Sequence, residues 1–225
     1  MKNCFLLIIL LSFSSLITGQ VYEVGVTLGG ANYIGDVGST TYINPNEVAG
    51  NVFFKYNYNP RIALKATYSY LPISGNDLDA DTDFRQNRNF NFDNVINELA
   101  VGLEFNFYEY DVYSDDKSWT PYITIEFAAF NYRTVQSEVQ PGEFIYTNNT
   151  AFTAPIGVGF KSRLFGKFAF SLESKIRYAF QDDLDYSTDQ IPAVNVEGTS
   201  NDWFVFTGFS LIYTFGRPAC YTNGL

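Results

Sequence analysis

Beyond residue 20 the chain alternates apolar and polar residues with a period of two, as β-strands with one apolar face do. Tyr22, Val24, Val26 and Leu28 alternate with Glu23, Gly25, Thr27 and Gly29. Val48, Val52, Phe54, Tyr56 and Tyr58 oppose Ala49, Asn51, Lys55 and Asn57, with Phe53 out of phase. Ile62, Leu64, Ala66, Tyr68 and Tyr70 oppose Ala63, Lys65, Thr67 and Ser69, and Val95 through Phe107 oppose Glu98, Ala100, Gly102, Glu104 and Asn106. Ile123, Ile125, Phe127 and Ala129 then face away from Thr124, Glu126 and Ala128. Phe152, Ala154, Ile156, Val158 and Phe160 face away from Thr153, Gly157, Gly159 and Lys161. Phe168, Phe170, Leu172, Ile176 and Tyr178 oppose Ser171, Glu173, Lys175 and Arg177. The last segment sets Trp203, Val205, Phe209, Leu211, Tyr213 and Phe215 against Gly208, Ser210 and Thr214. Eight strands are predicted, most with room for the ~9–11 residues that cross a bilayer at a tilt.

The predicted connections alternate in length. Asn59 to Arg61, roughly Asp111 to Ser118, and Phe165 to Lys167 are short, whereas Gly35 to Glu47, Ile73 to Phe92, Thr134 to Asn149 and Gln181 to Asp202 are long. Short turns on one side and long loops on the other predict an all-β, eight-stranded antiparallel up-and-down transmembrane barrel, with the turns in the periplasm and the loops outside. A soluble β-sandwich or lipocalin-like barrel also alternates. Two features argue against it. Aromatic residues sit near the strand ends of the apolar face, as at a membrane interface, and the opposite face carries too many charges for a dry core.

Those inward charges are five acids, Glu23, Glu98, Glu104, Glu126 and Glu173, and five bases, Lys55, Lys65, Lys161, Lys175 and Arg177. An eight-stranded barrel is only wide enough for side chains to fill it, and buried charges persist when paired and hydrogen-bonded. The expectation is a lumen closed by ion pairs. Composition narrows the function further. The chain has no histidine, which removes Ser-His-Asp and Cys-His hydrolases and histidine-ligated zinc or iron. The remaining carboxylates have lysines to neutralise them, so no enzyme is expected. A net charge of −10 opposes nucleic-acid binding.

Residues 1–19, with Lys2 and an apolar run from Phe5 to Leu11, have the form of a cleaved secretory signal peptide. The barrel is assigned to 20–215 and a periplasmic tail to 216–225, which places the mature protein in the outer membrane against lipid. Cys4 precedes the apolar run, where a lipidated cysteine would follow it. Cys220 is then the only cysteine of the mature chain, available for an intermolecular disulfide with a periplasmic partner. Asp77, Asp79, Asp81 and Asp83 form a carboxylate ladder of the kind hard cations favour. The EF-hand pattern fails, with Thr82 in the glycine position and Arg88 in that of the bidentate glutamate, and no metal or cofactor is expected. The loop from Gln181 to Asp202 adds Asp182, Asp183, Asp185 and Asp189.

Several stretches together resemble one family: Glu23-Val24-Gly25-Val26 leading into Gly29-Gly30-Ala31-Asn32-Tyr33-Ile34-Gly35-Asp36; Arg88-Asn89-Phe90; Glu98-Leu99 and Glu104-Phe105-Asn106-Phe107; Thr120-Pro121-Tyr122; Ser200-Asn201-Asp202-Trp203; and Thr214-Phe215-Gly216-Arg217-Pro218-Ala219-Cys220-Tyr221. The set is similar to the PorG-type outer-membrane barrels associated with the type IX secretion system. The resemblance implies a non-enzymatic barrel docking a periplasmic ring built of a lipoprotein and its partner. It would place contacts on the turns and on Arg217, Pro218 and Cys220. The other reading is a transport or surface-binding barrel whose acidic loops meet an extracellular ligand.

Overall fold

The computed structural model describes residues 21–110, 118–140, 142–187 and 201–216. The leader with Cys4, Asp189, and Arg217, Pro218 and Cys220 lie outside the described residues. Eight strands follow in chain order: β1 Val21–Ile34, β2 Glu47–Asn57, β3 Ile62–Asn76, β4 Asn91–Asn106, β5 Trp119–Gln140, β6 Glu143–Phe165, β7 Phe168–Ala179 and β8 Trp203–Gly216. Each pairs antiparallel with its sequence neighbours, and β1 pairs with β8 from Val21 opposite Gly216 to Ile34 opposite Trp203, which closes the barrel. The fold is an all-β antiparallel barrel, and closure leaves no unpaired strand edge.

The two faces are inverted relative to a water-soluble barrel. Leu99, Phe127 and Val158 point outward with 63%, 56% and 61% of their surface exposed, while Glu104 and Lys161 point inward at 0%. Exposed large apolar side chains stand on all eight strands, the kind of surface that marks contact with a membrane or a partner. At the turn end of the wall, Tyr22 stacks on Phe54 and Phe215 with ring centroids 5.6 and 5.7 Å apart. Farther along the chain, Trp119 lies 5.2 Å from Tyr108 and 5.6 Å from Phe160. At the loop end Tyr178 and Trp203 lie 4.8 Å apart.

The β2–β3 turn is set locally, because Asn59 Oδ1 accepts from the Arg61 and Ile62 amides, both at 2.8 Å, and Pro60 fixes its own φ. Two predicted loops differ from the structure. Thr134 to Asn149, expected as a loop, is mostly a hairpin: β5 and β6 stay paired from Asn131 opposite Thr150 to Gln140 opposite Glu143, with register shifts at Val135/Ser137 and Glu138/Gln140. The two strands satisfy each other's backbone groups there, so their pairing survives past the point where they need the rest of the barrel. Ile73 to Phe92 is likewise shorter than expected, because β3 and β4 remain paired to Asn76 opposite Asn91. Between them lie a 3₁₀ turn, Asp77–Asp79, and a short helix α1, Asp83–Arg88.

Candidate functional site

The lumen has three zones. In the middle, Glu104 of β4 sits among three lysines: Lys161 Nζ at 2.6 Å, Lys55 Nζ at 2.7 Å and Lys65 Nζ at 3.8 Å. From Lys65 the chain of charges continues to Glu173 at 2.8 Å, then Lys175 at 3.3 Å and Glu126 at 2.6 Å. Thr67 donates to Glu126 at 3.1 Å. Arg177 makes a two-pronged contact with Glu98 through Nε at 2.8 Å and Nη2 at 3.0 Å, and Ser69 donates to the same carboxylate. Glu23 is the outlying member, 3.5 Å from Lys55, and neither of its oxygens finds a hydrogen-bond donor among the described residues. All ten charges predicted to face inward are thus within salt-bridge reach of an opposite charge.

Lys55 and Lys65 lie directly opposite each other on β2 and β3, a placement that repels. Glu104 contacts both, and both ammonium groups lie over the Phe53 ring, at 4.9 and 4.8 Å from its centroid. Two aromatic rings fill the space between charges. A Cβ on Gly25 would fall 2.2 Å from the Phe53 ring, and one on Gly159 would fall 2.4 Å from Tyr122. Only glycine leaves room for a ring lying flat across the inner wall. Phe53, the residue out of phase with its strand's apolar face, is in phase with the lumen.

At the turn end, Tyr110 folds back into the barrel. Its amide donates to Pro60 O at 3.2 Å, its ring lies 4.5 Å from Lys161 Nζ, and it packs with Phe53, Ala169 and Ile212. At the loop end the lumen is apolar, and here the sequence expectation of a charged interior is corrected. Leu71, Ile73, Phe92, Ile96, Phe130, Phe204 and Phe206 form a buried cluster beneath the loops. They share the inward phase of the charged positions below them, so the strand pattern alone does not separate the two zones.

The loops are tied over that cluster by buried acids. Asp77 accepts from Arg88 Nε at 2.6 Å and Nη2 at 2.8 Å, and from the Gly38 and Phe90 amides. Burial opposes its charge, but those donors hold its carboxyl below the ordinary aspartate value. Arg88 also reaches Asp36 O at 2.7 Å. The first carboxylate of the Asp77, Asp79, Asp81, Asp83 ladder is therefore engaged by Arg88, while Asp79, Asp81 and Asp83 are exposed. Among the described residues no three potential metal ligands converge. Next to the Asp77–Arg88 pair, across Asp36, whose amide donates to the Tyr33 hydroxyl at 3.2 Å, that hydroxyl bridges Asp202 and, at 3.1 Å, Asp185. Asp202 also accepts from the Leu184 amide at 3.0 Å. Burial raises both aspartates; the Asp185 carboxylate raises Asp202 further, and Asp36 and Asp182 push Asp185 the same way.

Tyr122, Phe204, Phe206 and Tyr33 were not singled out as lumen residues in the sequence, although each stands two residues, or a multiple of two, from a recognised inward position on its strand. Tyr110 lies on a turn, where no periodicity applies.

Comparison with known proteins gives three results. A family model described as a domain of unknown function, DUF6089, matches residues 2–224. No curated protein matches the chain. Among solved structures, a major outer membrane protein from Thermus thermophilus is 11% identical with a TM-score of 0.50, over 87% of this chain and 99% of that one. The N-terminal β-barrel domain of Pseudomonas aeruginosa OprF is 13% identical, TM-score 0.47, over 86% and 97%. Ail, the attachment invasion locus protein of Yersinia pestis, is 10% identical, TM-score 0.46, over 88% and 99%. At such identities the likeness concerns the fold alone, which is that of eight-stranded outer-membrane barrels.

Proposed function

The chain belongs to the DUF6089 family, and we propose that it is a non-enzymatic β-barrel of the outer membrane that anchors or orients a periplasmic ring assembly of the type IX secretion system. In this reading residues 1–19 are removed on export, the turns face the periplasm and the long loops face outward. The observation that carries it is the filled lumen. Glu104 and its three lysines cross the middle of the barrel, and Tyr110 covers the turn end. A barrel filled with its own paired side chains is poorly suited to passing solutes, which leaves its surfaces as the working parts. The PorG-type resemblance of the first and last stretches supports the periplasmic side as the docking surface, with Arg217, Pro218 and Cys220 as contacts and Cys220 as half of an intermolecular disulfide.

Crosslinking with mass spectrometry on isolated outer membranes tests this directly. The expected result is crosslinks from the turns and the tail to a periplasmic lipoprotein and its partner, lost with cargo secretion when residues 216–225 are deleted. A deletion that leaves both unchanged would overturn the anchoring role. A second reading, ligand binding at the loop end, is favoured by a polar cavity among the loops.

A further inference from the structure

Part of the outer wall is covered from outside by the chain itself. On β8 the outward positions Val205 and Phe209 share one face, yet Phe209 is 62% exposed and Val205 only 3%. Asn32 and Ile34, outward positions at the end of β1, are buried as well. The cover is the loop between β1 and β2, residues 35–46, which turns back along the wall. Asn32 holds it there. Its side-chain amide donates to Thr41 O at 3.3 Å and to Tyr42 O at 3.2 Å, and its Oδ1 accepts from the Asn44 amide at 3.3 Å. Pro45 sits on Gly30, where a Cβ would fall 2.5 Å from the proline ring, so this approach of loop to strand needs glycine.

The tip of that loop is apolar within a polar run: Tyr42-Ile43 stands between Ser39-Thr40-Thr41 and Asn44. Together with Ile156 and Val158 of β6, Ile176 of β7 and Val205 of β8, the tip lines a cavity of about 250 Å³. Tyr42 and Ile43 nevertheless remain 66% and 59% exposed, so most of their surface faces away from the protein. Register fixes how deep they lie. Tyr178 pairs with Trp203, and one pleat nearer the middle of the barrel Ile176 pairs with Val205. Tryptophan and tyrosine gather at the membrane–water boundary. The tip meets the wall at Ile176 and Val205, roughly 7 Å past that aromatic pair along the strands, on the side where the wall is apolar. An exposed apolar tip continuous with a lipid-facing wall has acyl chains as its neighbours.

We propose that the β1–β2 loop is a foot in the outer leaflet, its Tyr42-Ile43 tip seated among lipid acyl chains against β6, β7 and β8. This rests on the outer-membrane reading above and departs from it at this loop, which that reading sends outward into water. The foot resists displacement of the barrel out of the bilayer, because such a shift drags two apolar side chains into water. The test is spin labelling of the full chain in phosphatidylcholine vesicles, with Cys4→Ser and Cys220→Ser as background and a single label at Ile43→Cys or Tyr42→Cys. Collisions with oxygen, which dissolves in hydrocarbon, are compared with collisions with a polar nickel chelate, which does not. Labels at Leu99→Cys on the wall and Asp79→Cys among the loops serve as lipid and water references. At both tip positions the oxygen-to-chelate ratio should approach that at Leu99 and exceed that at Asp79 at least about tenfold, because a polar complex enters hydrocarbon poorly. Tyr42 and Ile43 are exposed, and heat-modifiable migration on gels verifies that the labelled chains are folded. A tip ratio equal to that at Asp79 would overturn the proposal and put the loop in water. Low collision rates with both reagents would also overturn it, by showing the tip covered by protein such as a second copy. A water-like Leu99 would overturn the outer-membrane reading itself, whereas a lipid-like Leu99 beside a water-like tip overturns this inference alone.

Discussion

Replacing Glu104 by Gln removes the centre of the lumen network while keeping its shape. Its three lysines are not equally dependent on it. Lys65 keeps Glu173 at 2.8 Å and Lys55 keeps Glu23 at 3.5 Å, but Glu104 is the only acid in a salt bridge with Lys161, at 2.6 Å, among the described residues. The variant therefore orphans one buried cation rather than three. Coulomb's law at an effective dielectric constant of about 20 gives roughly 6 kcal/mol at that distance. The amide retains an acceptor worth about 1–2 kcal/mol, so the expected loss is roughly 4–5 kcal/mol, inside the range for a buried pair broken on one side. Urea-induced unfolding of the barrel in lipid vesicles, followed by heat-modifiable migration, measures it. Adding Lys161→Met removes the orphan and should recover most of the loss, since an apolar replacement of a whole buried pair is often neutral. A loss below about 1 kcal/mol for the single variant, or a double variant no more stable than the single, would refute the reasoning.

Planar-bilayer recordings of the wild-type protein should show no single-channel conductance, and replacing Lys65 by Met should leave solute flux unchanged; steady wild-type channels would show that the lumen is open. Gly25→Val should destabilise the barrel by several kcal/mol through collision with the Phe53 ring, and a second change, Phe53→Ala, should restore part of it; no loss in the single variant would mean the ring is not seated there. The raised Asp185 and Asp202 carboxyls make the loop end pH-dependent. A group whose folded pKa is raised stabilises fully below its unfolded value, about 4 for aspartate, and that contribution is lost as pH rises through the folded-state values. Amide exchange at Leu184, corrected for intrinsic rate, should be better protected at pH 5 than at pH 9, and Asp202→Asn should flatten the profile. Protection that grows with pH would contradict the shared burial of the two acids.

The sequence by itself determined which residues face the lumen and which face the wall. That property is local, because successive side chains on a pleated strand point to opposite faces. Glu104 and Lys161 could be placed inside from their immediate neighbours, and so could Phe53, once its misfit with the apolar face is taken as membership of the other. Strand number was local in the same way. The end of pairing was not. The extension of β5 and β6 past Thr134 depends on two strands satisfying each other, and no single segment reports on its partner. Only the tertiary structure decided which acid meets which base, because Lys65 and Glu173 are 108 residues apart and Arg177 and Glu98 are 79 apart. Those meetings are set by the stagger between neighbouring strands, accumulated around the closed barrel. The same stagger brings Tyr33 under Asp202 and places the apolar cap above the charged zone, although both zones carry one alternation.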